Sequence, residues 1–165
     1  LAGRGDSTKY HTLAELIEFN KANAAKEMPW FGQETFELAQ KKGPLTEPAY
    51  RRALAECRRL ARAEGIDATL RRFRLDAMVC PTGGPAWVTD LVNGDHFGSA
   101  GDSSTPAAVA GYPHITVPAG FIDGLPVGLS FMGPAWSEGR LLRYAFAFEQ
   151  ATTARRAPEF RATIG

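Results

Sequence analysis

The side chains able to do chemistry in this sequence are few and scattered. Ser103-Ser104 is the only pair of adjacent serines. With His96 or His114 and Asp95 or Asp102, Ser104 would complete the residue set of a serine-histidine-aspartate hydrolase, in which an imidazole takes the hydroxyl proton and a carboxylate orients the imidazole. No G-x-S-x-G elbow is present to lift a nucleophile out of a strand-to-helix turn. Thr105-Pro106 follows the pair, which suits the start of a helix and assigns these serines to capping. Cys57 and Cys80 lack a C-x-x-C pattern and read as small core residues, not as a disulfide framework or a zinc site. His11, His96 and His114 have no ligand spacing and no H-E-x-x-H frame, so neither a metal nor another cofactor is expected. Arg4-Gly5-Asp6-Ser7 matches a cell-adhesion tetrapeptide, a match short enough to arise by chance.

These residues need a framework, and the composition allows one. The 165 residues are 44% hydrophobic and 22% charged, enough apolar material for a globular core. Nineteen basic and eighteen acidic residues leave a net charge of +1, which gives no reason to expect nucleic acid, anionic membrane or acidic substrates. All five lysines precede residue 43, and eight arginines crowd residues 51 to 74 beside Glu47, Glu56, Glu64 and Asp67, the pattern of a solvated helix face. No apolar run of transmembrane length and no signal-peptide pattern occur in this sequence, though the absence of a signal says little. The expected compartment is the cytoplasm.

Residues 1 to 11 read as a loose lead-in. Thr12 and Glu15 form a capping-box pattern that begins a helix carrying Leu13, Leu16 and Ile17, with Pro29 as its stop. A short helix is predicted from Gln33 to Lys42, with Phe36, Leu38 and Ala39 inward and Gly43 as punctuation. Thr46 and Pro48 start the longest helix. Its inward stripe would be Ala53, Leu54, Cys57, Leu60 and Ala61, with Gly65 as its end and a brief continuation from Asp67 through Phe73. Ala77 to Cys80 changes the period to that of a buried strand, closed by Pro81. Residues 81 to 104 form a long loop of the kind that is usually functional. A helix of small residues, Ala107 to Ala110, follows with Ser104 or Thr105 as cap. His114 to Phe121 and Val127 to Met132 flank Asp123-Gly124 as an antiparallel hairpin. Ser137 caps a last helix bearing Leu141, Leu142, Ala145 and Phe148 up to about Thr152. The three strands are too apolar and too few to stand alone, so they read as part of a larger sheet with open edges.

Several stretches, taken in order, resemble the carboxy-terminal half of amidase-signature enzymes. They begin with Leu13-x-x-Leu16-Ile17-x-Phe19-Asn20 and Phe31-Gly32-Gln33-Glu34. They continue with Val79-Cys80-Pro81-Thr82, Pro85-Ala86, and Pro106-Ala107-Ala108-Val109-Ala110-Gly111-Tyr112-Pro113. Ile115-Thr116-Val117-Pro118-Ala119-Gly120, Gly124-Leu125-Pro126-Val127-Gly128, Ser137-Glu138 and Phe148-Glu149-Gln150-Ala151-Thr152 complete the series. The resemblance covers residues 12 to 158, leaving 159 to 165 as a tail.

The resemblance implies an α/β fold in which helices flank a partial mixed sheet, the C-terminal portion of the amidase-signature fold. It also implies hydrolysis of carboxylic amides by a serine nucleophile, a second serine in a cis peptide and a lysine base. No Gly-Gly-Ser-Ser-Gly-Gly segment occurs here, so these catalytic residues are expected upstream and none is assigned within the chain. The chain alone is expected to be inert. By the same resemblance, the loop after the Cys80 strand and the loop before the Pro106 helix face the acyl side of the site. Thr82, Trp87 and Asp102 are the substrate-binding candidates: an aromatic wall with few polar groups suits a small amide, and Asp102 could meet a cationic substrate group. In the structural alternative, Trp87 packs under its loop, Thr82 satisfies nearby polar groups and Asp102 caps a turn. The functional alternative is a non-catalytic remnant that self-associates through its sheet edges or pairs with a separate catalytic chain.

Overall fold

The computed structural model describes residues 9–94 and 103–159, and the chain divides into two compact units, Leu1–Arg51 and Arg52–Gly165. In the first unit, α1 (Leu13–Ala22) opens with the expected capping box. The Glu15 amide donates to the Thr12 hydroxyl at 3.2 Å, and the Thr12 amide donates to the Glu15 carboxylate at 3.0 Å. The helix breaks at Asn23, before Pro29. Asn23 leaves the helical region, and its side-chain amide donates to the Phe19 carbonyl at 2.8 Å, competing with the backbone ladder. A single turn, α2 (Ala24–Glu27), then precedes α3 (Glu34–Gln40). Gln33 joins α3 to α1, accepting from the Asn20 side-chain amide at 3.1 Å and donating to the Ile17 carbonyl at 3.1 Å. The inward placement expected for Phe36, Leu38 and Ala39 does not hold, because all three are exposed.

Pro48 begins α4 (Pro48–Arg58), which runs without a break into a π-helical segment, Arg59–Ile66, and then α5 (Asp67–Phe73). Gly65 therefore does not end the helix. Its missing side chain lets the wider turn close, since a Cβ there would lie 2.4 Å from the Leu60 carbonyl oxygen. The helix ends instead at Arg74, in the left-handed region at φ 52°, and the Leu75 amide returns to the Leu70 carbonyl at 2.9 Å. The predicted stripe on α4 is also corrected. No α4 residue is buried, Cys57 and Leu60 are exposed, and only Leu54 and Ala61 are partly covered. Periodicity identified an apolar face for which the described chain supplies no cover.

The sheet has the order β1 (Met78–Pro81), β3 (Leu125–Met132), β2 (His114–Ile122), and both pairings are antiparallel. Asp123 and Gly124, at φ 50° and 77°, make the hairpin turn that the sequence announced. A bulge lies between Pro118 and Gly120, so the register changes there. One sheet face packs on α7 (Glu138–Thr152) through Val117, Phe131, Leu141 and Ala145. The other meets α5, the π segment and α6 (Ser104–Ala110) through Met132, Ile66, Leu70, Ala107 and Ala110. Cys80 packs against this second cluster, as expected of a core thiol. The expected α/β arrangement, with helices against a small sheet, is thus present.

Ser103, not Ser104 or Thr105, is the N-cap residue of α6, and its side chain does not cap the helix. Ser137 likewise occupies the N-cap of α7, but its hydroxyl donates to the Pro134 carbonyl at 2.7 Å. Arg62 holds the other end of α6. Its Nε donates to the Ala110 carbonyl at 2.5 Å and its guanidinium lies over Tyr112, whose hydroxyl donates to Asp67 at 2.9 Å. Burial, then the hydrogen bond to Asp67, raises the Tyr112 phenol above its ordinary value. Among the described residues, no helix is long and apolar enough to cross a membrane.

Candidate functional site

Thr82 follows the last residue of β1, and every polar atom it has is engaged. Its amide extends the strand ladder to the Gly128 carbonyl at 2.8 Å. Its hydroxyl lies 2.7 Å from that of Ser130 and donates to that of Thr116 at 3.3 Å, while Thr116 and Ser130 are 2.9 Å apart. Three hydroxyls thus close a ring, in which each can donate once and accept once. The sheet register makes this possible. Thr116 and Cys80 both stand opposite Ser130, so successive hydroxyls from three strands point to one face. Ser130 is fully buried on the central strand, and Gly128 keeps the ring open. A Cβ on Gly128 would sit 2.7 Å from both the Thr82 hydroxyl and the Thr116 methyl.

The carbonyl of Thr82 is met from the far end of the loop. Ser103 approaches it with its amide at 3.5 Å and its hydroxyl at 3.4 Å, and the same hydroxyl lies 3.3 Å from His114 Nε2. Ser103 is itself buried. Ser103 thus stands beside a histidine, and Ser104 lies within α6. Asp95, His96 and Asp102, the other members of the imagined triad, lie outside the described residues. No group of three or more His, Cys, Asp or Glu side chains able to hold a metal occurs among the described residues.

The three substrate-binding candidates fare differently. Thr82 is central to the hydroxyl ring. Trp87 lies on the following loop, 44% exposed, near exposed Val88, Leu91 and Val92. Asp102 is outside the described residues. The loop is shaped locally by Asp90, whose carboxylate accepts from the amides of Val92 and Asn93 at 2.9 Å each, with Gly94 at φ 85° completing the turn. Ser130 and Thr116 were not singled out from sequence. Their signal was a lone hydroxyl inside each apolar strand, and it becomes informative only when the register is known.

Comparison with known proteins matches this framework to one family. The family model described as Amidase matches residues 5–142. A protein of Arabidopsis thaliana, named a probable amidase, is 37% identical over 151 residues, 90% of this chain and 26% of its own length. The structure of the native peptide amidase from Stenotrophomonas maltophilia is 51% identical with a TM-score of 0.83, covering 93% of this chain and 30% of that one. A peptide amidase structure in complex with the competitive inhibitor chymostatin is 52% identical with a TM-score of 0.86, covering 93% of this chain and 31% of that one. The chain spans about a quarter of the length of the curated relatives it matches over most of its own length. With the family model matched across most of its residues and the fold shared with solved amidases, the chain belongs to the amidase family of amidase-signature enzymes.

Proposed function

We propose that this chain is the carboxy-terminal portion of an amidase that hydrolyses carboxylic amides, of the kind that acts on peptides, and that it contributes framework and part of the substrate pocket. The observation that carries this reading is the 51% identity to a peptide amidase across 93% of the chain. The acyl-transfer chemistry then resides upstream. A serine hydroxyl attacks an amide carbonyl only when a neighbouring base takes its proton and backbone N–H groups hold the oxyanion. In this chain Ser103 is buried and engaged with Thr82 and His114. All five lysines lie within the Leu1–Arg51 unit.

Thr82, Trp87 and Asp102 form the pocket wall in this reading. Trp87 offers an aromatic surface beside an apolar substrate group, and Asp102 receives a cationic one.

The test compares the longer protein that carries this segment with the 165-residue chain, on peptide amides and simple carboxylic amides. The longer protein is expected to turn over and the isolated chain is not. Trp87→Ala and Asp102→Asn in the longer protein should raise KM more than they lower kcat. Turnover by the isolated chain, abolished by changing one of its own side chains, would refute the assignment of the catalytic residues.

A further inference from the structure

Burying a hydroxyl is costly unless it is hydrogen-bonded, and the bond it then makes does little more than offset that cost. Ser130, with no exposed surface and bonds to two hydroxyls, therefore adds little net stability. What it adds is geometry. β3 is the central strand, paired on both sides, so the Ser130 hydroxyl is a fixed point in the sheet. Thr82 is the residue at which the β1 ladder stops and the loop begins, and its side chain is oriented by that fixed point. Ser103 closes on the Thr82 carbonyl from the other end of the same loop. The hydroxyl ring and Ser103 together form a clasp at the loop root.

We infer that Ser130 is a positioning residue. Its buried hydroxyl fixes the Thr82 side chain, and through Thr82 the root of the 83–94 loop, and so sets the shape of the pocket wall to which the amidase reading assigns Thr82 and Trp87. The inference rests on that reading for its link to substrate, but not for the clasp itself. Removing the Ser130 hydroxyl leaves Thr82 and Thr116 only the longer, 3.3 Å contact. The Thr82 side chain then loses its short bond while the strand pairing is kept.

The experiment uses the longer protein with Ser130→Ala, and with the pair Thr82→Val and Thr82→Ser as second variants that leave the central strand untouched. Hydrogen exchange reads the clasp, and steady-state kinetics on peptide amides read the wall. Ser130→Ala and Thr82→Val should speed amide exchange in residues 83–94 about fivefold, with β3 unchanged. They should raise KM about fivefold with kcat within twofold, the effect of one lost hydrogen bond. Thr82→Ser, which keeps the hydroxyl, should restore both. Unchanged exchange in 83–94 overturns the clasp whatever the kinetics. Faster exchange with an unchanged KM overturns the link to substrate. A wild-type longer protein inert on every amide sinks the amidase reading, and the exchange comparison then decides the clasp alone.

Discussion

The hydroxyl oxygens of Ser130 and Thr82 lie 2.7 Å apart across the seam between β1 and β3, although 48 residues separate them in the chain. That contact depends on Gly128, which stands one strand repeat from Ser130 on the same face. A methyl group there would come within 2.7 Å of the Thr82 hydroxyl and 3.2 Å of its Cβ. Gly128→Ala should therefore destabilise the protein by about 1–3 kcal/mol, as overpacking against branched side chains does. A melting temperature equal to wild type would show that the ring can move aside.

Tyr112 gives an alkaline prediction. Its phenol is raised by burial and by its bond to Asp67, so the neutral form is favoured in the folded state. The stability it contributes is fully present below the unfolded value of about 10 and is lost as pH rises through the folded value. Tyr112→Phe should cost about 0.5–1.5 kcal/mol at neutral pH and flatten the loss of stability above pH ~10. Parallel denaturation curves for both proteins across that range provide the comparison.

Glu15 gives the opposite sign. Backbone hydrogen bonds from His11 and Thr12 hold its carboxyl below the ordinary glutamate value. Its capping contribution is present above the unfolded value and disappears as pH falls through the folded one. Helical signal from α1 should decline on acidification below the ordinary glutamate range. Glu15→Gln should remove most of that decline, which site-resolved exchange at α1 can follow.

On α7, neighbouring leucines should behave differently. Leu141 is buried against Phe131 and Val117, whereas Leu142 is 57% exposed. Leu141→Ala should cost about 2–5 kcal/mol, and Leu142→Ala no more than about 0.5 kcal/mol. Equal effects in a thermal melt would contradict the packing of α7 on the sheet.

The isolated chain should self-associate. Val79 on edge strand β1, Trp136 at 91% exposure, and Leu142 with Phe146 on the outer face of α7 leave apolar surface in water. Sedimentation at high concentration should show species heavier than the monomer, reduced by Leu142→Glu with Phe146→Glu. A single monomeric boundary at every concentration would refute this.

Local chemistry was legible in the residues themselves. Thr12 with Glu15, Pro48 at a helix start, Asp123-Gly124 and the small residues of α6 each act over a few positions, so their elements follow from short-range sterics and hydrogen bonding. The ordered motifs from Leu13 to Thr152 likewise carried the family, which the comparisons then matched. What the sequence left open was every relation requiring a partner far along the chain. The α4 stripe has the right period, but its burial depends on an element to cover it. Gly65 looks like a stop until the Leu60 carbonyl is seen closing on it. The bulge at Ala119 matters most for the candidate site. An unbroken hairpin from the Asp123-Gly124 turn would set Thr116 opposite Phe131, and the one-residue shift sets it opposite Ser130. Because side chains alternate across a strand, that single step decides whether three hydroxyls meet on one face or point away from one another, and only the folded sheet makes that choice.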